Sequence, residues 1–236
     1  MKKLTIKSAR LIAVTLSLIM VIGLALFCFL HPTAVTIVSG ESYAPIYKGS
    51  EKEPKVALMF NVYENAQVVN GILDTLNSYN VKATFFVGGC WADDNTDTVK
   101  RILSEGHSLG NHGFFHINHK KATEAQNLSE IKNTHTLIYH MTGHTMTLFA
   151  PPSGAFSKTT LKVAEKLGYK TIMWSKDTID WRDSDLSLIV KRATAIENGD
   201  FILMHPKPHT LKALPQILDY YKEKGITPVT VDNLIL

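Results

Sequence analysis

From about residue 55 the chain alternates between two hydrophobic periods. Apolar runs of strand length fall at Val56 to Phe60, Ala83 to Val87, Ser108 to Gly110, Thr147 to Phe149, Thr171 to Trp174, Phe201 to Met204 and Pro228 to Val231. Between them lie stretches of helical period. Gln67 to Tyr79 sets Val69, Ile72, Leu73 and Leu76 on one face, and Asp97 to Glu105 ends at Gly106. Four more helices are bounded by start and stop residues: Thr123 to Gly143, Ser157 to Gly168, Ser184 to Gly199 and Thr210 to Gly225. Seven strands interleaved with six helices predict an α/β fold, a parallel sheet covered by helices, either doubly wound or closed into a barrel.

Upstream the pattern changes. Met1 to Arg10 carries Lys2, Lys3, Lys7 and Arg10 and no acid, and Leu11 to Leu30 is twenty residues without a charge. At about 1.5 Å per residue that run spans the roughly 30 Å hydrocarbon core. It predicts a single transmembrane helix over 11–30, with the basic flank 1–10 cytoplasmic and everything after His31 outside the cell membrane. A cleaved signal peptide is the competing reading; the run is long for one, and no Ala-x-Ala pattern precedes Pro32 and Ala34. Ala25-Leu26-Phe27 before Cys28 is a poor lipoprotein cleavage box. Residues 31–54, punctuated by Pro45, Gly49 and Pro54, read as a linker to a domain over 55–236.

Charge matters less than it first suggests. The net +4 comes entirely from the four cations before the apolar run; beyond residue 30, 21 basic residues balance 21 acidic ones. That leaves no basic stripe for nucleic acid. Cys28 falls in the apolar run and Cys90 stands alone, so no disulfide can staple the outer domain. Its core must hold it, as a monomer, and a hydrophobic content of 45% for the whole chain is enough.

In sheets of this kind chemistry gathers where the carboxyl ends of the strands converge. Asn61 follows the first predicted strand, His112 and His116 the third, Pro151 and Pro152 the fourth, Asp177 and Asp180 the fifth, and His205 the sixth. Neutral imidazoles spaced four apart can share a transition metal, so His112 and His116 are candidate ligands.

These residues also carry a resemblance. From about Lys55 onward the chain resembles the polysaccharide deacetylase family, also called the NodB-homology domain or carbohydrate esterase family 4. His112 to His116 matches its His-x-x-x-His motif, Ala150-Pro151-Pro152-Ser153-Gly154 its Arg-Pro-Pro-x-Gly motif, Asp177 to Trp181 its Asp-x-x-Asp-Trp motif and Leu203-Met204-His205 its Leu-x-His motif. Lys82 to Phe86 and Gly106 to Asn111 match structural signatures. The resemblance implies a distorted (β/α) barrel of about seven parallel strands and a divalent metal, zinc or similar, on His112 and His116. It implies removal of acetyl groups from N-acetylglucosamine polymers such as chitin and peptidoglycan. It also implies His205 as general acid with Asp177 holding its ring, and Pro151, Pro152, Trp181 and Leu203 as substrate-binding positions.

The first motif departs from the family. Where relatives read Thr-Phe-Asp-Asp-Gly, this chain reads Met59-Phe60-Asn61-Val62-Tyr63. The family's general base and its third metal ligand are both absent, and the arginine that pairs with the base is Ala150. The variant first motif is closest in style to the sporulation-type deacetylases. Asn61 can offer an amide oxygen but cannot take a proton. Glu64, Asp177 or metal-bound hydroxide would have to replace the base. His119 reads as a solvated loop residue, and Trp91 as packing. Two functions follow: a membrane-anchored, metal-dependent N-deacetylase of cell-wall glycan with a weakened site, or an inactive homologue that binds glycan or serves envelope or sporulation structure. The kept histidines favour the first. The lost carboxylates favour the second.

Overall fold

Strand β1 (Lys55–Val62) is the axis of the sheet. It pairs in parallel with β2 (Thr84–Val87) along one edge and with β7 (Phe201–Met204) along the other. This computed structural model describes residues 15–16, 18–22 and 44–235. The sheet continues through β3 (Ser108–Asn111), β4 (Leu148–Phe149) and β5 (Lys170–Thr171) on the β2 side, and β6 (Lys176–Asp177) on the β7 side. Strand β8 (Thr227–Val229) pairs with the opening of β1. Because Ala57 pairs with both Phe201 and Val229, β8 must lie on the β2 edge, ahead of β2. Strands β5 and β6 end the path without meeting, so the architecture is a half-barrel of seven parallel strands, with β8 added beside the opening of β1, and not a closed ring.

β1 reads as a continuous apolar run because both its faces are covered. Val56, Leu58, Phe60 and Val62 point into an outer core with Val69, Ile72, Leu73 and Leu76 of helix α1 (Ala66–Ser78). Ala57 and Met59 point the other way, into an inner core with Phe86, Leu148, Ala150 and Leu203. Asn61 is next in that inward row, which brings a polar group to the rim where the apolar layer ends.

Local chemistry explains several helix boundaries. Helices α2 (Gly89–Asp94) and α3 (Thr96–Ser104) follow β2. Helix α4 (Glu124–Thr142) opens with a capping box between Thr123 and Gln126, and α5 (Lys158–Lys166) with one between Ser157 and Thr160. Each such cap is worth about 1 kcal/mol. Gly143 ends α4 and Gly225 ends α7 (Pro208–Lys224), both in the left-handed conformation (φ 72° and 67°). Two expected caps fall elsewhere. Helix α6 (Leu186–Thr194) is capped by Asp185, not Ser184, and α7 begins two residues before Thr210, whose hydroxyl is used at the site.

Other expectations are corrected too. The run Thr171 to Trp174 is not one strand: β5 stops at Thr171 and β6 starts at Lys176, at opposite ends of the sheet. The last predicted strand gives way after Val229 to a short helix, α8 (Val231–Leu234). Residues 44–54, read as the end of a linker, belong to the domain. Ile46 bridges to Ile172 beside β5, Lys48 bridges to Asp200 before β7, and Ser50 N–H donates to Leu234 O at 2.8 Å. The Lys48 ammonium also meets the fully buried Asp200 carboxylate at 3.3 Å. This arm crosses from the β5 end of the path to β7.

The chain divides into two compact units, Met1–Ser42 and Tyr43–Leu236. In the first, Thr15, Leu16 and Leu18 to Ile22 are helical, with Leu16, Leu18, Ile19, Met20, Val21 and Ile22 exposed. The remainder of the expected 11–30 span, with Cys28, lies outside the described residues. Among the described residues no helix is long and apolar enough to cross a membrane.

Candidate functional site

The carboxyl ends of the strands surround a cavity of about 500 Å³. Asn61, Tyr63 and Glu64 enter it from the end of β1, His112 and His116 from the loop after β3, and Ser153 from the loop after β4. Trp174, Asp177 and Trp181 line it around β6, and Leu203, His205 and Lys207 at the end of β7. The sheet order puts Asn61 in the middle, the histidine pair to one side and Asp177 with Trp181 to the other. Pro151 and Pro152 are buried behind this wall, and the lining residue of their segment is Ser153.

The histidine loop is held tightly. His112 is 2% exposed and its Nδ1–H donates to Ala150 O at 2.7 Å, which leaves the Nε2 lone pair free. Burial, with His116 beside it, pushes the His112 ring down to about 3, so it is neutral at ordinary pH. His116 is lowered as well, chiefly by burial, and its ring lies 5.2 Å from that of His112. Asn111 Oδ1 accepts from Gly113 N–H, and Glu130 Oε2 accepts from Phe114 and Phe115 N–H at 2.7 and 2.8 Å. His116 itself adopts φ 56°, in the left-handed region. Sequence reasoning missed Glu130. Its signal is that it interrupts the buried face of α4, between Asn127, Ile131 and Thr134, where a carboxylate needs buried donors.

His205 is held by Asp180, and this corrects the expectation for Asp177. Asp180 is 1% exposed. Its Oδ1 lies 2.7 Å from His205 Nδ1, and its Oδ2 accepts from His205 N–H at 2.7 Å and from the Thr210 hydroxyl at 2.6 Å. Asp177 instead accepts from Ile179 N–H at 2.7 Å, closing a local turn in which Ile179 has φ 55°. The turn sends the second aspartate of the motif under the histidine and leaves the first on the cavity wall.

At the remodelled first motif, Asn61 is 5% exposed and its Oδ1 is buried without a hydrogen-bond partner. Val62 and Ala150 are fully buried in the outer and inner cores. Glu64 forms an ion pair with Lys207 across the rim, so its carboxylate is already engaged. Among the described residues no group of three or more His, Cys, Asp or Glu side chains can hold a metal. A catalytic zinc takes three protein ligands. His112 and His116 supply two, and the orphaned amide oxygen of Asn61 is a weak third donor, so the set does not fit a firmly held zinc.

Two further residues are placed by the structure. His119, read as solvated, is fully buried: Nδ1–H donates to Asn127 Oδ1 at 2.8 Å, Nε2 has no partner, and the ring packs 5.2 Å from Phe149. Trp91 is 6% exposed in the outer core, whereas Trp181 is 54% exposed at the cavity with Arg182 at 5.8 Å from its ring.

Comparison with known proteins places this geometry in a family. The family model for polysaccharide deacetylase matches residues 48–172. The uncharacterized protein YlxY of Bacillus subtilis is 36% identical over 192 residues, 81% of this chain and 60% of that one. The peptidoglycan-N-acetylglucosamine deacetylase PgdA of Listeria monocytogenes is 37% identical over 182 residues, 76% of this chain and 38% of that one. The chain thus spans less than two thirds of the length of these relatives. Among solved structures, BA3943 of Bacillus anthracis, described as a CE4 family pseudoenzyme, superposes with a TM-score of 0.80 at 33% identity, covering 84% of this chain and 71% of that one. A mutant of it described as having restored enzymatic activity superposes equally well, at 31% identity with 84% and 73% coverage. The chain belongs to the polysaccharide deacetylase family.

Proposed function

We propose that this protein is a hydrolytically silent member of its family that binds N-acetylated cell-wall glycan of the peptidoglycan type in the rim cavity. The observation that carries this reading is Asn61. Amide hydrolysis needs a group that takes a proton from the attacking water, and the residue at the centre of the rim is an amide, flanked by Val62 and Ala150 where the family has a ligand and an arginine. The cavity itself is kept, with an exposed indole and a size typical of small-ligand sites. A divalent ion on His112 and His116 belongs to this reading only as a loosely held one, since two neutral donors bind less firmly than a set with a carboxylate. The domain works outside the cell as a monomer, tethered by the apolar segment 11–30, with glycan as partner and no nucleic acid. Its place in the cell is envelope or sporulation structure.

Slow N-deacetylation is the second reading, favoured by one contact: His205 keeps a buried carboxylate on Nδ1, the arrangement of a poised proton donor. Loss of a positioned base typically removes about 10²- to 10⁴-fold in rate. The two readings separate in one experiment on the full-length chain in detergent, in which binding to peptidoglycan and to an N-acetylglucosamine tetramer is measured beside acetate release. Binding without acetate above the protein-free control is expected. Steady, enzyme-dependent acetate release overturns the silent reading in favour of the second.

A further inference from the structure

We infer that Tyr63 is a specificity-determining wall of the cavity, an aromatic face on which the pyranose ring of a bound acetamido sugar stacks. The inference rests on the glycan-binding reading above and assigns a ligand contact to a residue that stands where the family pattern has glycine.

Three features support it. First, Tyr63 lines the cavity from the β1 side, and its ring lies 5.0 Å from that of His116, tilted by 47°. Second, the ring is seated. A Cβ on Gly88 would lie 2.1 Å from Tyr63 Cδ2, and one on Gly89 2.3 Å from Phe114 Cδ2, so the paired glycines after β2 leave room for each of these rings. Third, the hydroxyl is turned toward protein, with a long 3.5 Å contact to Phe114 O. A ring fixed by its edge and its hydroxyl loses little freedom when a ligand arrives, and its apolar face matches the C–H face of a sugar. Trp181 supplies a second aromatic surface from the β6 side of the cavity. The change at position 63 therefore adds a contact surface to the same rim that lost its carboxylates.

The test uses the full-length chain in detergent, titrated calorimetrically with the N-acetylglucosamine tetramer, for wild type, Tyr63→Phe, Tyr63→Leu and Tyr63→Ala, each also melted thermally. Expected are binding by Tyr63→Phe within about twofold of wild type and a weakening of about tenfold or more in Tyr63→Ala, with Tyr63→Leu also weakened. Tyr63→Leu keeps bulk over Gly88, so it reads the aromatic face even if the alanine variant does not fold. Wild-type affinity in a folded leucine or alanine variant overturns the stacking role and leaves the glycan reading intact. Equal weakening in Tyr63→Phe and Tyr63→Ala also overturns it, because the hydroxyl and not the face would then be the contact. No binding by wild type itself defeats the glycan reading and this inference with it.

Discussion

His205 and Asp180 are joined twice, once through the ring at Nδ1 and once through the backbone N–H, each at 2.7 Å. The double contact holds the ring with Nδ1 on the carboxylate, and the Thr210 hydroxyl shares that carboxylate. His209 adds a fourth tie, from Nε2 to Asp180 O at 2.7 Å. Asp180 therefore joins the end of β7 and the start of α7 to the loop after β6.

Asp180→Ala should cost at least about 2 kcal/mol in urea unfolding, since each buried donor left without an acceptor costs about 1–3 kcal/mol. Asp177→Ala removes one local turn contact from a half-buried residue and should cost about 1 kcal/mol or less. Equal losses in the two variants would show that the ring is not held by Asp180.

That pairing was beyond the sequence, for a physical reason. Two aspartates three apart in one motif are both within reach of His205, and the choice is made by the backbone at Ile179, whose φ of 55° follows from the turn closed on Asp177. The legible parts were those set by local pattern. The apolar β1 run, the one-face periodicity of α1 and the Thr123 and Ser157 caps are properties of neighbouring residues. Histidines at strand ends also announced the cavity, because imidazoles rarely cluster there without use. His119 and Glu130 were misread or missed because their burial depends on α4 packing over the histidine loop, a contact between segments distant in sequence. The continuous run Thr171 to Trp174 concealed a strand end for the same reason: pattern records burial, not which neighbour supplies it.

A pH dependence follows from His107, away from the rim. It is 4% exposed, and its Nδ1 accepts the Ala83 N–H at 3.1 Å, which requires a neutral ring. Burial first, then Lys82, push it down to about 4 against an opposing effect of Glu105, with Arg101 adding a weaker push down. The unfolded chain, with an ordinary histidine near 6.5, binds this proton before the folded chain does. The stabilising contribution is thus fully present above about pH 6.5 and is lost as pH falls toward about 4, at up to about 1.4 kcal/mol per pH unit. His107→Gln should show a shallower fall in urea-derived stability across that window than wild type. Parallel curves would remove His107 as a source of acid sensitivity.

The anchor reading predicts that the full-length chain fractionates with membranes and resists extraction by high salt. Protease added to intact cells should digest the domain. A soluble form whose N-terminus lies near Ala34 would show instead that the apolar segment is cleaved.

Restoring the family's groups tests whether the rim alone silences the chemistry. In the family's pattern Asn61→Asp would restore the base, Val62→Asp the third donor and Ala150→Arg the cation that keeps the base ionised and aimed. Each alone should do harm. Val62 and Ala150 are fully buried among apolar side chains, so a lone charge at either costs a few kcal/mol, and a lone carboxylate at 61 has its pKa raised by burial. Together the three groups offset one another, so stability and rate should both be strongly non-additive. The measurements are zinc stoichiometry after dialysis, urea stability and acetate release from an N-acetylglucosamine oligomer, for each single change and the triple variant. The triple variant should retain about one zinc and release acetate at least about 10²-fold faster than wild type. A folded, zinc-loaded triple variant no faster than wild type would mean that the cavity has lost the deacetylase geometry itself, leaving glycan binding as the function of the rim.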